Sequence, residues 1–198
     1  MTDNKRRGWL REYYGLSFDF IKESRHFIYL AIAIFFFFAI IGFFVPVSEN
    51  VSNQILQFID ELLKKTENLQ HYDLIKFIFL NNIQSSFLAM ILGLFFGVYP
   101  MITLVINGYI LGFISVLSVN SEGIIILWRL LPHGIFELPA IFISAGLGFR
   151  MATFFLEKEK LETLKIYIKK SIITFVLVVI PLLVIAAFIE GTLISLAG

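Results

Sequence analysis

Long unbroken runs of apolar residues, separated by short polar segments, organise this chain. The first run covers residues 27–47 and contains Phe35-Phe36-Phe37-Phe38. A second stretch, 77–119, is long enough for two passages across a bilayer. It is interrupted at Val98-Tyr99-Pro100, where proline removes a backbone donor and favours a turn. It divides into 78–97 and 101–119. The fourth run covers 124–155 and the fifth 172–194. A spanning helix needs about 20 apolar residues, and only helices or closed barrels satisfy the backbone in lipid. The pattern predicts an all-α, polytopic helical membrane protein with about five transmembrane helices, forming a single membrane domain over 1–198. The first run is too long for a signal-peptide core and no small-residue cleavage site follows it, so it reads as a retained helix.

Two other segments are amphipathic. Over 9–21, Trp9, Leu10, Tyr13, Tyr14, Phe20 and Ile21 share one helical face, which predicts a helix lying in the membrane interface within residues 1–26. Within the polar segment 48–76, Val51, Ile55, Ile59 and Leu62 form a stripe. That helix either rests on the membrane, docks on a partner, or packs back on its own bundle as a plain connection.

Lys and Arg set orientation. Lys5, Arg6, Arg7, Arg11, Lys22 and Arg25 precede the first span, and Lys158, Lys160, Lys165, Lys169 and Lys170 lie between the fourth and fifth. Between spans one and two, Lys64, Lys65 and Lys76 are outnumbered by Glu49, Asp60, Glu61, Glu67 and Asp73. The expectation is a multi-pass protein of the cell membrane with a cytoplasmic N-terminus, a cytoplasmic loop over 157–171 and an external C-terminus.

Composition agrees with the pattern. Hydrophobic residues make up 58% of the 198 and charged ones 16%, against about 45–50% and about 25% in soluble domains. Mean hydropathy is +0.85. A net charge of +1 argues against a nucleic-acid partner. The absence of cysteine excludes disulfides, thiolate metal sites and cysteine nucleophiles.

The exceptions to the apolar pattern carry the candidate chemistry. An ionisable group at the centre of a membrane helix costs about 2.5–3.5 kcal/mol on insertion scales, so it usually faces a cavity or a partner. Arg129, His133 and Glu137 recur every four residues in the fourth run, on one helical face and within pairing reach. Pro132, Gly134 and Pro139 bracket His133 and Glu137, so this span is expected to be kinked or broken, a common way of building a membrane binding site. Glu190 is a second isolated carboxylate, Asn81, Asn82 and Gln84 open the second span, and Asn107 sits midway along the third. His133, Glu137, Glu190, Asn81 and Asn82 are expected to converge on one outward-facing polar pocket, with Arg129 and Asn107 as further members. Arg150 is expected to snorkel to the cytoplasm. Each has a structural alternative: Arg129 pairing with Glu137, His133 bonding a carbonyl freed by a proline, Glu190 resting at the interface, Asn107 bridging helices. No catalytic residue is assigned and no cofactor is expected. A metal stays open, because one histidine and two carboxylates at these spacings match no known ligand pattern. Gly93 and Gly97 in the second span and Gly108 and Gly112 in the third each place small residues on one face. Flanking one turn, they predict a tight antiparallel hairpin.

Pro132-His133-Gly134-Ile135-Phe136-Glu137-Leu138-Pro139-Ala140 resembles the signature of the stage II sporulation protein M family. Asn81-Asn82 before a glycine-rich hairpin, Asn107-Gly108, and Ile185-Ala186-Ala187-Phe188-Ile189-Glu190-Gly191 are similar to its other elements, in the same order. The chain departs from that pattern at Tyr99-Pro100, where small residues are usual, and lacks the proline common after the terminal acidic motif. The resemblance implies a multi-span membrane protein. The sporulation member works in envelope remodelling beside membrane partners that degrade peptidoglycan; similar proteins occur in bacteria and archaea that do not sporulate. Three functional readings follow, in order of support: a non-enzymatic scaffold or assembly factor of the cell envelope, a transporter or channel component with an outward-facing polar site, and an intramembrane metal-dependent enzyme. The expected partners are the lipid bilayer, a membrane protein and a second copy of the chain.

Overall fold

A computed structural model describes residues 3–66, 69–123 and 131–197. Their helices, in chain order, are α1 (Asp3–Glu23), α2 (Arg25–Phe44), α3 (Glu49–Thr66), α4 (His71–Ile91), α5 (Val98–Glu122), α6 (Leu131–Ala152), α7 (Lys160–Thr174) and α8 (Ile180–Ala197). Short 3-10 turns extend α4 at Leu92–Leu94 and α6 at Thr153–Leu156, and a π turn at Phe175–Val179 joins α7 to α8. Among the described residues five helices are long and apolar enough to cross a membrane: Arg25–Phe44, His71–Leu94, Val98–Ser121, Gly134–Leu156 and Lys160–Ser195. The all-α polytopic class read from the sequence is the observed one.

Helix α6 is central. Half of its apolar window is buried inside the bundle, against 17–33% for the other four. Small residues let neighbours reach it. A Cβ on Gly148 would collide with the Ala89 carbonyl of α4, one on Gly93 with Gly148, and one on Gly146 with Ile28 of α2. The Phe142 and Phe35 rings meet edge to face at 5.3 Å. Gly146 lies by Ile28 and Phe142 by Phe35, so α2 and α6 run antiparallel. Against α5 the order is the reverse. Gly108 meets Phe35 and Gly112 meets Ala39, so α2 and α5 run parallel with their backbones in contact.

These contacts correct the expected hairpin. The glycine pairs of α4 and α5 do not face each other: Gly93 packs on α6, while Gly108 and Gly112 pack on α2. Gly97 has a different task, holding φ at +69° in the turn beside Phe96, itself at +56°. Phe96 is kept in that left-handed conformation with its ring stacked on Phe155 at 4.9 Å. The turn thus falls just before Val98, and Pro100 occupies the first turn of α5, where its missing amide costs little.

Two further expectations change. Of residues 157–171, only 157–159 form a turn. Helix α7 begins at Lys160 and continues through the π turn into α8, giving one rod whose spanning part, Lys160–Ser195, is 36 residues. Pro181 lies just beyond that turn; it lacks the amide that would bond the Leu177 carbonyl, and in a regular α-helix its ring would crowd that carbonyl, a conflict the π geometry relieves. Of the fourth run, expected to be kinked or broken, 124–130 lie outside the described residues, and over Leu131–Ala152 the helix is unbroken, with Pro139 inside it.

The α1–α2 junction, the α4–α5 turn and the α6–α7 junction share one end of the bundle, because Gly97 packs on Phe149 and Ala152, and Arg150 reaches α1. Helix α3 and the C-terminal turns of α8 lie at the other end. Helix α1 is docked along α7 at the first of these ends rather than lying free in the interface. Tyr14 is exposed, whereas Phe20 is fully buried and Tyr13 and Ile21 half-buried; the side chains of Trp9 and Leu10 lie outside the described residues. The Arg150 guanidinium holds this junction, correcting its reading as a snorkelling residue. It donates to Glu23 Oε2 at 3.0 Å and to Ser24 Oγ at 3.2 Å, and lies 4.7 Å from the Phe20 ring centre and 5.0 Å from that of Tyr167. The Ser24 hydroxyl donates in turn to the Phe20 carbonyl at 2.7 Å, and Lys170 Nζ stands 3.6 Å from Glu23.

The Glu23 carboxylate is 46% exposed, and exposed pairs contribute about 0–1 kcal/mol. The buried aromatic stack on Arg150 contributes about 2 kcal/mol when desolvated. Arg150→Met is therefore expected to speed tryptic cutting within α1 several-fold in nanodiscs, and Glu23→Gln less than twofold. In the packing of α2 on α5, Gly112→Leu is expected to abolish the cooperative thermal transition, because the added side chain has only backbone to displace.

Candidate functional site

Helix α4 turns Leu74, Ile75, Ile78, Ser86, Ala89 and Met90 inward. Asn82, four residues from both Ile78 and Ser86, continues that stripe and is half-buried. Asn81 and Gln84 lie on the outer face and are exposed. Only one of the two adjacent asparagines can serve an interior site.

On α6, Glu137, Ser144 and Gly148 fall on one stripe, at i, i+7 and i+11. Gly148 touches α4, so this is the face α6 presents to α4. Glu137 is 9% exposed and Ser144 fully buried. From the Gly93–Gly148 contact, eleven residues back along both helices reach Asn82 and Glu137. Because α4 and α6 run in the same direction, the two stand at about the same depth, on facing stripes.

Glu190 continues the buried stripe of α8, after Leu183, Ala186 and Ala187. One of its carboxylate oxygens is enclosed, as is one of Glu137. Gly191 meets Ile75. This sets Glu190 about 10 Å nearer the α3 end than the level of Glu137, at about 1.5 Å per residue. The backbone of His133 lies one turn from Glu137 in the same direction, between the two carboxylates in depth. Its side chain and the whole of Arg129 lie outside the described residues.

The structure therefore sets Glu137 and Asn82 at about the same depth on facing stripes, with Glu190 nearer the α3 end, and turns Asn81 and Asn107 outward. Asn107 is not part of the cluster. It is exposed on α5, and its amide donates to the Thr103 carbonyl at 2.8 Å. Its neighbour Gly108 is the residue that packs inward. Among the described residues Gly134 makes no close backbone approach; a Cβ there would touch only the Leu138 side chain, at 3.3 Å. Pro139 is exposed on the far side of α6 from Glu137, and Pro132 lies at the start of the described helix. Among the described residues no group of three or more His, Asp or Glu side chains comes together as a metal site.

Sequence reading missed the serines. Ser86 and Ser144 are 2% and 0% exposed, and among the described residues no protein group bonds either hydroxyl. With Asn82 and Glu137 they make a polar seam along the α4–α6 contact. Single serines are common in membrane helices and give no signal until a helix partner is known.

The stage II sporulation protein M family model matches residues 31–193. An uncharacterised protein of Methanocaldococcus jannaschii is 38% identical over 120 residues, covering 56% of this chain and 65% of that protein. A second uncharacterised protein of the same organism is 35% identical over 139 residues, covering 67% of this chain and 61% of its own length. The chain thus spans a little under two thirds of these relatives. No solved structure matches it.

Asn82→Leu is expected to shift the melting temperature of the bundle, because the substitution falls on the stripe that α4 turns towards α6. Asn81→Leu and Asn107→Leu are expected to leave thermal unfolding in lipid nanodiscs unchanged. Equal effects of all three would remove the distinction between seam and surface.

Proposed function

The chain belongs to the stage II sporulation protein M family, and from that premise we propose that it is a non-enzymatic scaffold or assembly factor of the cell envelope. The observation that carries this reading is α3. Among the described residues it packs along no other helix, yet Val51, Ile55, Phe58 and Ile59 line one side of it and Val51 and Phe58 are substantially exposed. A helix that is amphipathic without covering its own bundle offers its apolar side to something else.

Charge favours a protein over the lipid surface. Interfacial helices are typically rich in Lys and Arg on the polar face. Helix α3 carries Glu49, Asp60 and Glu61 against Lys64 and Lys65, a balance that anionic headgroups repel. Lys64 is moreover bound to Asp60, four residues away, at 2.6 Å; that hydrogen bond and the carboxylate's charge raise the ammonium's pKa and occupy the cation. The reading is of a membrane-protein partner held through the apolar side of α3, with the bundle as a fixed platform.

Orientation follows from the basic end of the bundle, which the positive-inside rule places in the cytoplasm; α3 and the C-terminus are then external. The buried seam of Glu137, Asn82, Ser86 and Ser144 supports a second reading, a transporter or channel component whose polar site lies between α4 and α6.

A photo-crosslinking residue at Phe58 is expected to capture a discrete membrane protein in native membranes, and Val51→Glu to suppress that adduct without lowering the bundle's melting temperature. Lipid adducts alone would end the scaffold reading. Ion flux into protein-loaded vesicles, abolished by Glu137→Gln, would replace it with the transporter. Because the chain has no native cysteine, Ser52→Cys is expected to react with an impermeant maleimide added to intact cells.

A further inference from the structure

Gln84 is a polar residue that the fold strands in lipid. It lies near the middle of the span His71–Leu94, more than 10 Å from either end at about 1.5 Å per residue. The buried stripe of α4 runs through Ile75, Ile78, Ser86 and Ala89, and Gln84 is on the opposite side. Leu80 and Phe87, at i−4 and i+3, flank it there and are 50% and 42% exposed. Asn81, three residues earlier, stands at the edge of the same face. Among the described residues the Gln84 side chain has no hydrogen-bond partner. Asn107 differs, since its amide already bonds the Thr103 carbonyl.

A primary amide has two donors and an acceptor with two lone pairs. In hydrocarbon it can bond neither water nor lipid tails, so it is driven towards another polar group, the common role of Gln and Asn between membrane helices. We propose that the face of α4 carrying Gln84 is the contact between two copies of this chain. The amide favours a copy over an unrelated partner because it is its own complement. Two identical chains inserted in the same orientation are related by a twofold axis along the membrane normal, which brings Gln84 opposite Gln84 at equal depth. Each amide then donates to the other's oxygen. Leu80 faces Leu80 one turn towards one surface; towards the other, Phe87, whose ring packs edge to face on Phe175 of the same chain at 5.4 Å, borders the contact with its exposed edge. The contact leaves α3 and the α4–α6 seam uncovered, so it is independent of the function proposed above.

The cysteine-free chain makes the test direct. Purified protein with Leu80→Cys, reconstituted at low density in phosphatidylcholine vesicles and mildly oxidised, is expected to give a disulfide-linked dimer. Phe37→Cys, on the lipid face of α2, is expected to stay monomeric. Adding Gln84→Leu to Leu80→Cys should reduce the cross-linked fraction, with the dimer dissociation constant rising roughly tenfold, while Gln84→Asn retains most of it. Melting curves of the uncross-linked variants report whether each still folds. A monomer with Leu80→Cys, a dimer indifferent to Gln84→Leu, or cross-linking equal at Phe37→Cys would each overturn the proposal, as would cross-linking that appears only when a second membrane protein is added.

Discussion

Between α4 and α6 the two backbones meet at Gly93 and Gly148 with no side chain separating them. Apolar burial drives little helix association where the solvent is itself hydrocarbon, so close packing and hydrogen bonding must supply the attraction. The small residues Gly146 and Gly148 let α2 and α4 approach α6 closely enough to do so. Once α6 is surrounded, the remaining geometry follows from it. The parallel contact of α2 with α5, the position of α8 and the depth of Glu137 are all set relative to that central rod.

Much of this architecture could be read from the residues. Run lengths gave five apolar helices, and the turn at Tyr99-Pro100 was misplaced by only a few residues. Helix ends were less legible, because hydropathy marks where lipid stops and not where hydrogen bonding stops. His71 to Phe77 and Lys160 to Ser171 are helical although polar residues interrupt them. The glycine pairs show a different limit. Sequence places Gly108 and Gly112 on one face but is silent about which helix that face meets, and nearness in the chain suggested the wrong neighbour. Asn107 and Asn81 failed for the same reason: a residue type says that a side chain is polar, and only the packing says whether it looks inward.

Polar groups are handled in three ways. Arg150 is placed near water, with Glu23 and Ser24 as acceptors and two rings beneath it. Glu137, Asn82, Ser86 and Ser144 lie on the stripes that α4 and α6 turn towards each other, away from lipid. Asn107 and Gln84 are left outside, one folded back on its own helix and the other not. The first group fastens α1, the second marks the interior, and the third bears on what surrounds the bundle. Their shared chemistry hides this division in the sequence.

The unbroken run of α7 into α8 has a mechanical meaning. Its spanning part extends 36 residues, about 54 Å as helix, and touches α1 near one end and α4, beside Glu190, near the other. A rigid rod of that kind converts a tilt at one membrane surface into a displacement at the opposite one. The π turn at Phe175–Val179 is the one place where its hydrogen-bond register is irregular among the described residues. It therefore sets the stiffness of the link. A helix straightened there would carry a tug on α1 undiminished to the far leaflet, and a softer one would absorb it within the bilayer.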